Sequence, residues 1–238
     1  MQGIMRPMVK DIVFDFYGTL VGYSHESVRD GERNAYEFLL SQNYEIDYSE
    51  YRKWMNQSYF ELMKEAQAHH REFSIEDISR RFMENAFDVH VNEKFAKEFG
   101  RIHVEEWNQG TRFFEGMKEF IEEMGSKYRL SIISNTHCPQ IVKRNLQSMG
   151  LEDRFAHVTT SIEFGMRKPH KSIFEHTLAK LGVSASEAVF VGDTYEDDFV
   201  ASKNAGMISF LIDSDGKRPE LADERLDHIF DLKTRLPN

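Results

Sequence analysis

The sequence predicts an α/β fold, in which a doubly wound, mainly parallel sheet is interrupted near its start by an inserted all-helical unit. Short apolar runs alternate with helical sequence over the second half of the chain, as expected for parallel strands that helices cover on both faces. A similar run begins at residue 11, ahead of a stretch of about eighty residues with helical periodicity alone. These observations predict one sheet and one helical insert.

Residues 9–22 are predicted to form a strand followed by a turn. The segment DIVF at 11–14 is apolar after its first residue, and short runs of this kind are typical of buried strands. The run stops at a carboxylate, Asp15, and Gly18 follows three residues later, where we expect the chain to turn.

A helical pattern follows, from about Ser24 to Val104, because apolar residues recur three and four positions apart. Ser74 with Asp77 three places later resembles a capping box, which predicts that a helix begins there. We interpret the apolar stripes as surfaces through which the helices pack on one another, and we favour this interpretation over a cofactor-binding site. The stripes are Tyr36, Leu39 and Leu40; Phe60 and Met63; and Ile78, Phe82 and Met83.

After Trp107 the pattern changes to helices alternating with strands. The segment FFEGMKEFIEEM at 113–124 predicts a helix, and four apolar runs follow it. We therefore expect an α/β core of residues 8–22 and 108–238, and a helical domain of residues 23–107. The four runs are LSIIS at 130–134, HVTTS at 157–161, AVFVG at 188–192 and ISFLI at 208–212.

Composition argues against several classes of partner. The formal net charge of −10 disfavours nucleic acid or an anionic membrane. No window approaches the roughly 18 to 20 unbroken apolar residues of a membrane span, and the N-terminus lacks the apolar centre of a signal peptide. Cys138 is the only cysteine, which excludes an intrachain disulfide and favours a reducing compartment. We expect a cytoplasmic protein.

Polar residues stand where the predicted strands end. In an open parallel sheet, ligands bind at the carboxyl edge of the strands. Asp15, Ser134 and Asp193 close or follow apolar runs, and Asn135 follows Ser134. Lys168 lies between the run HVTTS and a predicted helix. Each residue alone could be a helix cap or a surface side chain. The ordered set predicts one site at this edge.

Four short motifs resemble those of the haloacid dehalogenase-like hydrolase superfamily. They are FDFYGTL, IISNT, RKP and VGDTYEDD, and in order they run from Asp15 to Asp198, across nearly the whole predicted core. The pairs SN and KP alone carry little information, whereas the ordered set is specific. The resemblance implies a Rossmann-like core, and the insert resembles the helical cap of one subclass.

The resemblance also implies that Asp15 is a nucleophile that takes up a phosphoryl group as an aspartyl-phosphate. A phosphoryl group is attacked readily once its charge is neutralised and the nucleophile is held in line. Lys168 would offset the charge between Asp15 and the substrate, and the Ser134 hydroxyl would hold phosphoryl oxygens. The further substrate-binding residues implied in this way are Gly18, Thr19 and Asn135.

Mg²⁺ is the implied cofactor, because its hard, oxygen-preferring coordination suits carboxylates and phosphate together. By resemblance, Asp15 and Asp193 would hold the ion. The second acidic position of the fourth motif falls best on Asp198, with Asp197 as the neighbouring candidate. The backbone carbonyl of Tyr17 would supply another ligand.

Tyr17 departs from the pattern of most phosphatases of this superfamily. These carry Asp two residues after the nucleophile, where it protonates the leaving group and later activates water. The pattern D-x-Y-G-T-L resembles instead the 2-haloacid dehalogenases, whose nucleophile displaces halide from carbon without a metal. The fourth motif resembles the Mg²⁺-dependent phosphatases. Without a cation its acids would repel an anionic haloacid, by about 1 to 4 kcal/mol per pair at about 4 Å.

We predict a Mg²⁺-dependent phosphatase of a small phosphorylated metabolite, with an aspartate nucleophile. One alternative is a metal-independent 2-haloacid dehalogenase, and another is a non-catalytic phosphate-binding regulatory protein. The candidates for the acid and base are Tyr17 and, less directly, His137, which follows the second motif. The expected partner is a small anionic molecule, and the sequence does not indicate an oligomeric state.

Overall fold

A computed structural model describes residues 8–24 and 33–236 of the chain. Its strands are β1 (Asp11–Phe14), β2 (Val21–Tyr23), β3 (Thr111–Phe113), β4 (Arg129–Ser134), β5 (His157–Thr160), β6 (Ala188–Gly192), β7 (Ile208–Ile212) and β8 (Arg225–Leu226). Its α-helices are α1 (Arg33–Ser41), α2 (Tyr48–His69), α3 (Ile75–Phe87), α4 (Glu93–Asn108), α5 (Met117–Gly125), α6 (Pro139–Met149), α7 (Ser161–Phe164), α8 (Lys171–Leu181), α9 (Ala201–Asn204) and α10 (Leu232–Arg235). Among the described residues, no helix has the length and apolarity needed to cross a membrane.

The main sheet has six strands in the order β5-β4-β1-β6-β7-β8, and every neighbouring pair is parallel. From β1 the chain first builds outward through β4 and β5, and then on the other side through β6, β7 and β8. The predicted doubly wound parallel sheet is therefore confirmed. Because Phe14 is in register with both Ile132 and Val191, the carboxyl ends of the three central strands lie side by side.

Both faces of the sheet are buried, which explains the unbroken apolar runs. On β1, Ile12 and Phe14 belong to the apolar cluster that includes α5, whereas Val13 belongs to the cluster that includes α8. All three side chains are fully buried. Each such side chain contributes roughly 1.5–3 kcal/mol relative to exposure, so an apolar residue is favoured at every position of these strands.

The helical insert, as we call α1–α4, lies between β2 and β3 in the chain and has an apolar cluster of its own. The predicted capping box is confirmed: the backbone N–H of Asp77 donates to Ser74 Oγ at 3.1 Å, and the N–H of Ser74 donates to the Asp77 carboxylate at 2.9 Å. The predicted stripe of Ile78, Phe82 and Met83 is buried in this cluster.

The prediction that the apolar stripes are packing surfaces was wrong for two of their residues. Leu40 is 41% exposed and Phe60 is 69% exposed. Helix α2 buries Ser58 and Leu62. Phe60 is two residues from each of them, which corresponds to a rotation of about 200° around the helix axis, so its side chain lies on the opposite, solvent-facing side. Leu40 follows the buried Leu39 by one position, about 100° around the helix.

The helix predicted over 113–124 was wrong at its start. Thr111–Phe113 forms β3, which pairs antiparallel with β2, and α5 begins only at Met117, after a glycine with φ +78°. The β2–β3 ribbon joins both ends of the helical insert to the sheet. The two adjacent phenylalanines suited either assignment, and the cross-strand pairing, a long-range contact, decided between them.

Candidate active site

Lys168 connects two carboxylates at the carboxyl edge of the sheet. Its Nζ donates to Asp15 Oδ1 at 2.6 Å and to Asp198 Oδ1 at 2.5 Å. Asp15 directly follows β1, and its N–H is held by the Val191 carbonyl of β6 at 2.8 Å. The Lys168 side chain is 2% exposed, and both carboxylates are buried as well. Three residues from different strand ends therefore form one buried charge cluster.

Electrostatics give this cluster an excess of negative charge. Burial raises the pKa of Asp15 to about 8, against the lowering effect of Lys168, and the charges of Asp198 and Asp193 raise it further. Burial alone would lower the pKa of Lys168, but Asp15 and Asp198 outweigh it, so the ammonium keeps its charge. One ammonium does not balance three acids, so without a further cation Asp15 takes up a proton near neutral pH, and a bound cation would favour its carboxylate form.

Asp193 completes a set of three acids that fits a divalent cation. Carboxylate oxygens of Asp15, Asp193 and Asp198 all lie within 4.8 Å of one another. Oxygen donors at this separation suit Mg²⁺, which binds through one or two carboxylates together with water and phosphate. Asp193 is exposed at the mouth of the cluster, where an ion can enter. The donor set fits the ion that the motif implied.

Two glycines make room for these acids. A Cβ on Gly18 would lie 2.0 Å from Asp193 Oδ2, and one on Gly192 would lie 2.4 Å from Asp198 Cγ. Gly18 also has φ +84°, a conformation that other residues rarely adopt. Any side chain at either position would displace a carboxylate of the set.

Asp198 and its neighbour Asp197 have different surroundings. Asp198 lies in the helical turn Tyr195–Val200, and its second oxygen, Oδ2, accepts a hydrogen bond at 2.9 Å from the N–H of Thr194, which precedes the turn. Asp197 lies outside the three-acid set and contacts Asn135 Nδ2 at 3.4 Å. The geometry therefore favours Asp198 over Asp197 as the second acid of the fourth motif.

Asn135 holds the backbone of Lys168 from both sides. The N–H of Lys168 donates to Asn135 Oδ1 at 2.9 Å, and Asn135 Nδ2 donates to the Lys168 carbonyl at 3.0 Å. This pair of hydrogen bonds fixes the segment from which the Lys168 side chain enters the cluster. The sequence placed Asn135 in a phosphoryl-binding role, and the structure adds this positioning contact.

Two hydroxyls near the cluster are available to a ligand. Ser134 ends β4, and its Oγ lies 3.5 Å from the carbonyl of Asn135, which is too long for a firm hydrogen bond. Thr19 Oγ1 is buried and has no hydrogen-bond partner among residues 8–24 and 33–236. A buried hydroxyl without a partner is costly unless a ligand or water satisfies it.

The Tyr17 side chain packs among aromatic residues. Its ring packs edge-on against Phe16 at 5.0 Å and against Trp107 of α4 at 5.2 Å. Its hydroxyl is buried near Asn145, without a hydrogen bond of normal geometry to any described residue. Burial, with a contribution from Cys138, raises the pKa of Tyr17, so the hydroxyl stays protonated at neutral pH.

His137 contacts the helical insert. Its Nδ1 lies 3.0 Å from the Phe73 carbonyl and 3.2 Å from Glu72 Oε1, and its ring stacks on Phe73 at 4.1 Å. Glu72 also accepts a hydrogen bond from Ser161 Oγ at 2.7 Å, and Arg167 Nη1 lies 3.5 Å from it. Through these contacts the loop before α3 is joined to the loops that carry Asn135 and Lys168.

Sequence reasoning missed Glu72 and Arg167. Arg167 stands inside the third motif, RKP, so its position was a usable signal. Glu72 carries no local signal, because its partner Ser161 is 89 residues away in the chain.

A cavity of about 780 Å³ opens beside the cluster, between the helical insert and the loops after β1 and β4. Tyr17, Asn135 and His137 lie in its wall. The site thus combines a charged centre with an adjacent chamber.

Comparison with known proteins gives one family and several relatives. A family model described as haloacid dehalogenase-like hydrolase matches residues 12–212. A glyceraldehyde 3-phosphate phosphatase of Methanocaldococcus jannaschii is 25% identical over 91% of this chain and 90% of its own length. One of Methanothermobacter thermautotrophicus is 33% identical over 43% of this chain and 42% of its own length.

Among solved structures, a 2-haloacid dehalogenase from Pseudomonas syringae pv. Tomato DC3000 is similar, with a TM-score of 0.71. It is 21% identical, and the match covers 96% of this chain and 98% of that one. At this identity the likeness concerns the fold alone.

Proposed function

Because the chain belongs to the haloacid dehalogenase-like hydrolase family, we propose that it is a Mg²⁺-dependent phosphatase of a small phosphorylated metabolite. The observation that carries this proposal is the set of three acids, Asp15, Asp193 and Asp198, whose oxygens lie within 4.8 Å of one another. Without a cation, this set would repel the carboxylate of a haloacid. The phosphatase names of the two archaeal relatives support the same choice.

In the proposed reaction, a carboxylate oxygen of Asp15 forms a bond to phosphorus while the bond to the substrate's alcohol oxygen breaks. Water then attacks the phosphorus of the aspartyl-phosphate, which releases inorganic phosphate and restores Asp15. Lys168 neutralises charge at the attacking oxygen, since its Nζ lies 2.6 Å from Asp15. The hydroxyls of Ser134 and Thr19 donate to phosphoryl oxygens. The backbone N–H of Gly18 instead donates to the Val21 carbonyl at 2.7 Å, so Gly18 contributes space for the acids rather than a hydrogen bond to the phosphate. Bound Mg²⁺ would offset the charge that develops on the phosphoryl group.

We assign residues 8–22 and 108–238 to the hydrolase core and residues 23–107 to a helical cap. The separate apolar cluster of α1–α4 supports this division, as does their attachment through the β2–β3 ribbon. Asp15, Asp193 and Asp198, with the Tyr17 carbonyl, are the proposed Mg²⁺ ligands. The single cysteine, Cys138, supports a cytoplasmic location.

The metal proposal predicts the effect of Asp193→Ala. We expect kcat/KM for p-nitrophenyl phosphate to fall by at least about 100-fold, because loss of a supporting residue alone weakens metal sites by about 10–100-fold. The measurement is a Mg²⁺ titration of initial rates, with EDTA as the zero point. Asp197→Ala is the matched control, and it should change the rate less than about threefold.

Three results would contradict this assignment. If Asp197→Ala has the large effect and Asp193→Ala the small one, the metal ligands are misassigned. If EDTA has no effect and the wild type releases halide from 2-chloropropionate, the protein is a dehalogenase, as the D-x-Y-G-T-L motif allows. If neither substrate is turned over while phosphate binds, the protein is a regulatory binder.

Tyr17 gives a second prediction, about leaving groups. Its buried hydroxyl keeps a raised pKa, so at neutral pH it cannot act as a base and is a weak proton donor. Tyr17→Phe should therefore leave kcat/KM for an alkyl phosphate within about threefold of wild type. Tyr17→Asp supplies the missing acid and should raise that value by about tenfold or more, since proton transfer typically contributes about 10²–10⁴-fold. An aryl phosphate should gain much less.

The measurement is kcat/KM for one alkyl and one aryl phosphate at saturating Mg²⁺. If Tyr17→Phe loses the alkyl activity, the Tyr17 hydroxyl is the proton donor after all. If Tyr17→Asp folds, binds Mg²⁺ and gains nothing, another group supplies the proton, and His137→Asn is the next variant to assay.

A further inference from the structure

The chamber beside the reaction centre has a composition that is unusual for a site that binds a small polar alcohol. Its volume of about 780 Å³ equals the liquid volume of roughly two dozen water molecules at about 30 Å³ each. Pockets of this size hold drug-sized molecules rather than three-carbon ones. Tyr17 and Asn135 line it on the side of the charge cluster, so the alcohol portion of a bound phosphate ester would extend into it.

One wall of the chamber is aromatic and belongs to the ribbon and α4. Tyr23 stacks on Trp107, with ring centroids 4.5 Å apart and an interplanar angle of 20°. Tyr17 meets the same indole edge-on at 5.2 Å. All three side chains line the cavity. Their mutual packing fixes the rings, so a ligand would meet a rigid aromatic surface.

A second aromatic group lies on α2 and on the loop after β4. Tyr59 meets His137 edge-on, with centroids 5.6 Å apart and an interplanar angle of 86°. Both line the chamber, and His137 is itself fixed by stacking on Phe73. Aliphatic side chains complete the wall; they include Met55, Ile75, Ile78, Val104 and Ile141.

The chamber wall also carries polar side chains, among them the charged Arg52, Glu72 and Arg167, and some of its polar residues have a buried atom without a partner among the described residues. Tyr48 Oη and His103 Nδ1 are buried, and neither has a hydrogen bond to residues 8–24 or 33–236. Both residues line the chamber. Burial and the charge of Arg52 hold the pKa of His103 at about 4, so its ring is neutral. Such atoms suit one or two hydrogen-bonding substituents on an otherwise apolar ligand.

From these observations we propose that the substrate is a phosphate monoester whose alcohol portion carries an aromatic ring. The ring lies between Trp107 and Tyr59, and its polar substituent reaches Tyr48 and His103. This rests on the proposed phosphatase function and names its substrate class. A triose phosphate would leave most of the chamber unfilled and most of its aromatic wall uncovered.

The test separates ring recognition from leaving-group chemistry. Ethyl, 2-cyclohexylethyl and 2-phenylethyl phosphate release primary alcohols of similar acidity, so their chemical steps are matched. We expect kcat/KM for the phenylethyl ester to exceed that for the ethyl ester by at least 30-fold, with the cyclohexyl ester between them. Equal values for the ethyl and phenylethyl esters would overturn the proposal.

Two variants locate the effect. Trp107→Leu and Tyr59→Leu should each reduce the phenylethyl-to-ethyl ratio to below 10. Tyr59 is 41% exposed, so its replacement tests the proposal even if the Trp107 variant does not fold. Trp54→Phe is the control, because Trp54 lies on the same helix as Tyr59 but outside the chamber wall, and the ratio should stay unchanged. A ratio unaffected by Tyr59→Leu and Trp107→Leu would place the ring elsewhere and overturn the proposal.

A binding measurement distinguishes failure of this inference from failure of the phosphatase function. In Trp54→Phe, Trp107 is the only remaining tryptophan of two, so its fluorescence reports on the chamber. We expect 2-phenylethyl phosphate to alter this fluorescence at a concentration at least tenfold lower than ethyl phosphate does. If this holds while no ester is hydrolysed, the phosphatase function fails and the ligand class stands. If esters are hydrolysed without any preference in rate or binding, the ligand class fails alone.

Discussion

Asp15→Asn is expected to lower kcat by about 10⁴-fold or more while the protein stays folded. The amide keeps the shape of the carboxylate but cannot attack phosphorus, and removal of a nucleophile in other hydrolases costs about 10⁶-fold in kcat. The variant also relieves part of the charge crowding, because Asp15 lies within the set of acids that includes Asp193 and Asp198. The thermal midpoint should therefore stay equal to or above that of the wild type in EDTA.

The measurement is single-turnover and steady-state hydrolysis of p-nitrophenyl phosphate, with circular dichroism as the check on folding. Asp197→Asn is the matched control, since it makes the same change on a neighbouring acid outside the set. It should retain activity within about threefold. A folded Asp15→Asn protein that keeps more than about 1% of wild-type kcat, with deamidation excluded by mass spectrometry, contradicts a covalent mechanism on Asp15.

The fold could be predicted because both faces of its central strands are buried, which favours short unbroken apolar runs in the sequence. Val13 and Phe190 pack on one face of the sheet and Phe14 and Val191 on the other, so apolar side chains are favoured at these positions of β1 and β6. An apolar run that stops at Asp15 then marks a strand end directly. Parallel pairing brings such ends together, which is why residues distant in the chain could be assigned to one site.

What the sequence did not reveal depends on contacts between distant segments. The clamp between Asn135 and Lys168 joins residues 33 apart, and Glu72 meets Ser161 across 89 residues. Neither contact produces a periodic pattern in the sequence that could have predicted it. The exposure of Phe60 could not be predicted for a related reason. A single apolar residue does not indicate which face of its helix is buried.

The chamber illustrates the same limit. Its aromatic wall combines Tyr23 from the β2–β3 ribbon, Trp107 from α4 and Tyr59 from α2. In the sequence these residues are indistinguishable from the other aromatic residues of the insert. Only their arrangement beside the charge cluster indicates a substrate class.

Lys168 has the second large effect that we expect, on both activity and stability. Its Nζ bridges Asp15 and Asp198, at 2.6 Å from one carboxylate and 2.5 Å from the other. Lys168→Met would leave two buried acids facing each other without a counter-charge. Keeping both ionised at about 5 Å, with an effective dielectric of about 20, would cost about 3 kcal/mol. Breaking a buried ion pair from one side typically costs about 3–5 kcal/mol.

We therefore expect Lys168→Met to lower the free energy of unfolding in EDTA by about 3–5 kcal/mol and to reduce kcat by about 10³-fold or more. Saturating Mg²⁺ should restore part of the stability, because a bound cation again neutralises the acids, but it should not restore activity.

Lys171→Met is the matched control, since Lys171 is an exposed lysine three residues later that pairs with Glu175. It should change the unfolding free energy by less than about 1 kcal/mol. Urea unfolding of both variants, with and without Mg²⁺, measures the difference. If Lys168→Met is as stable in EDTA as Lys171→Met, the buried charge bridge does not stabilise the folded protein, and Lys168 would act on the substrate alone.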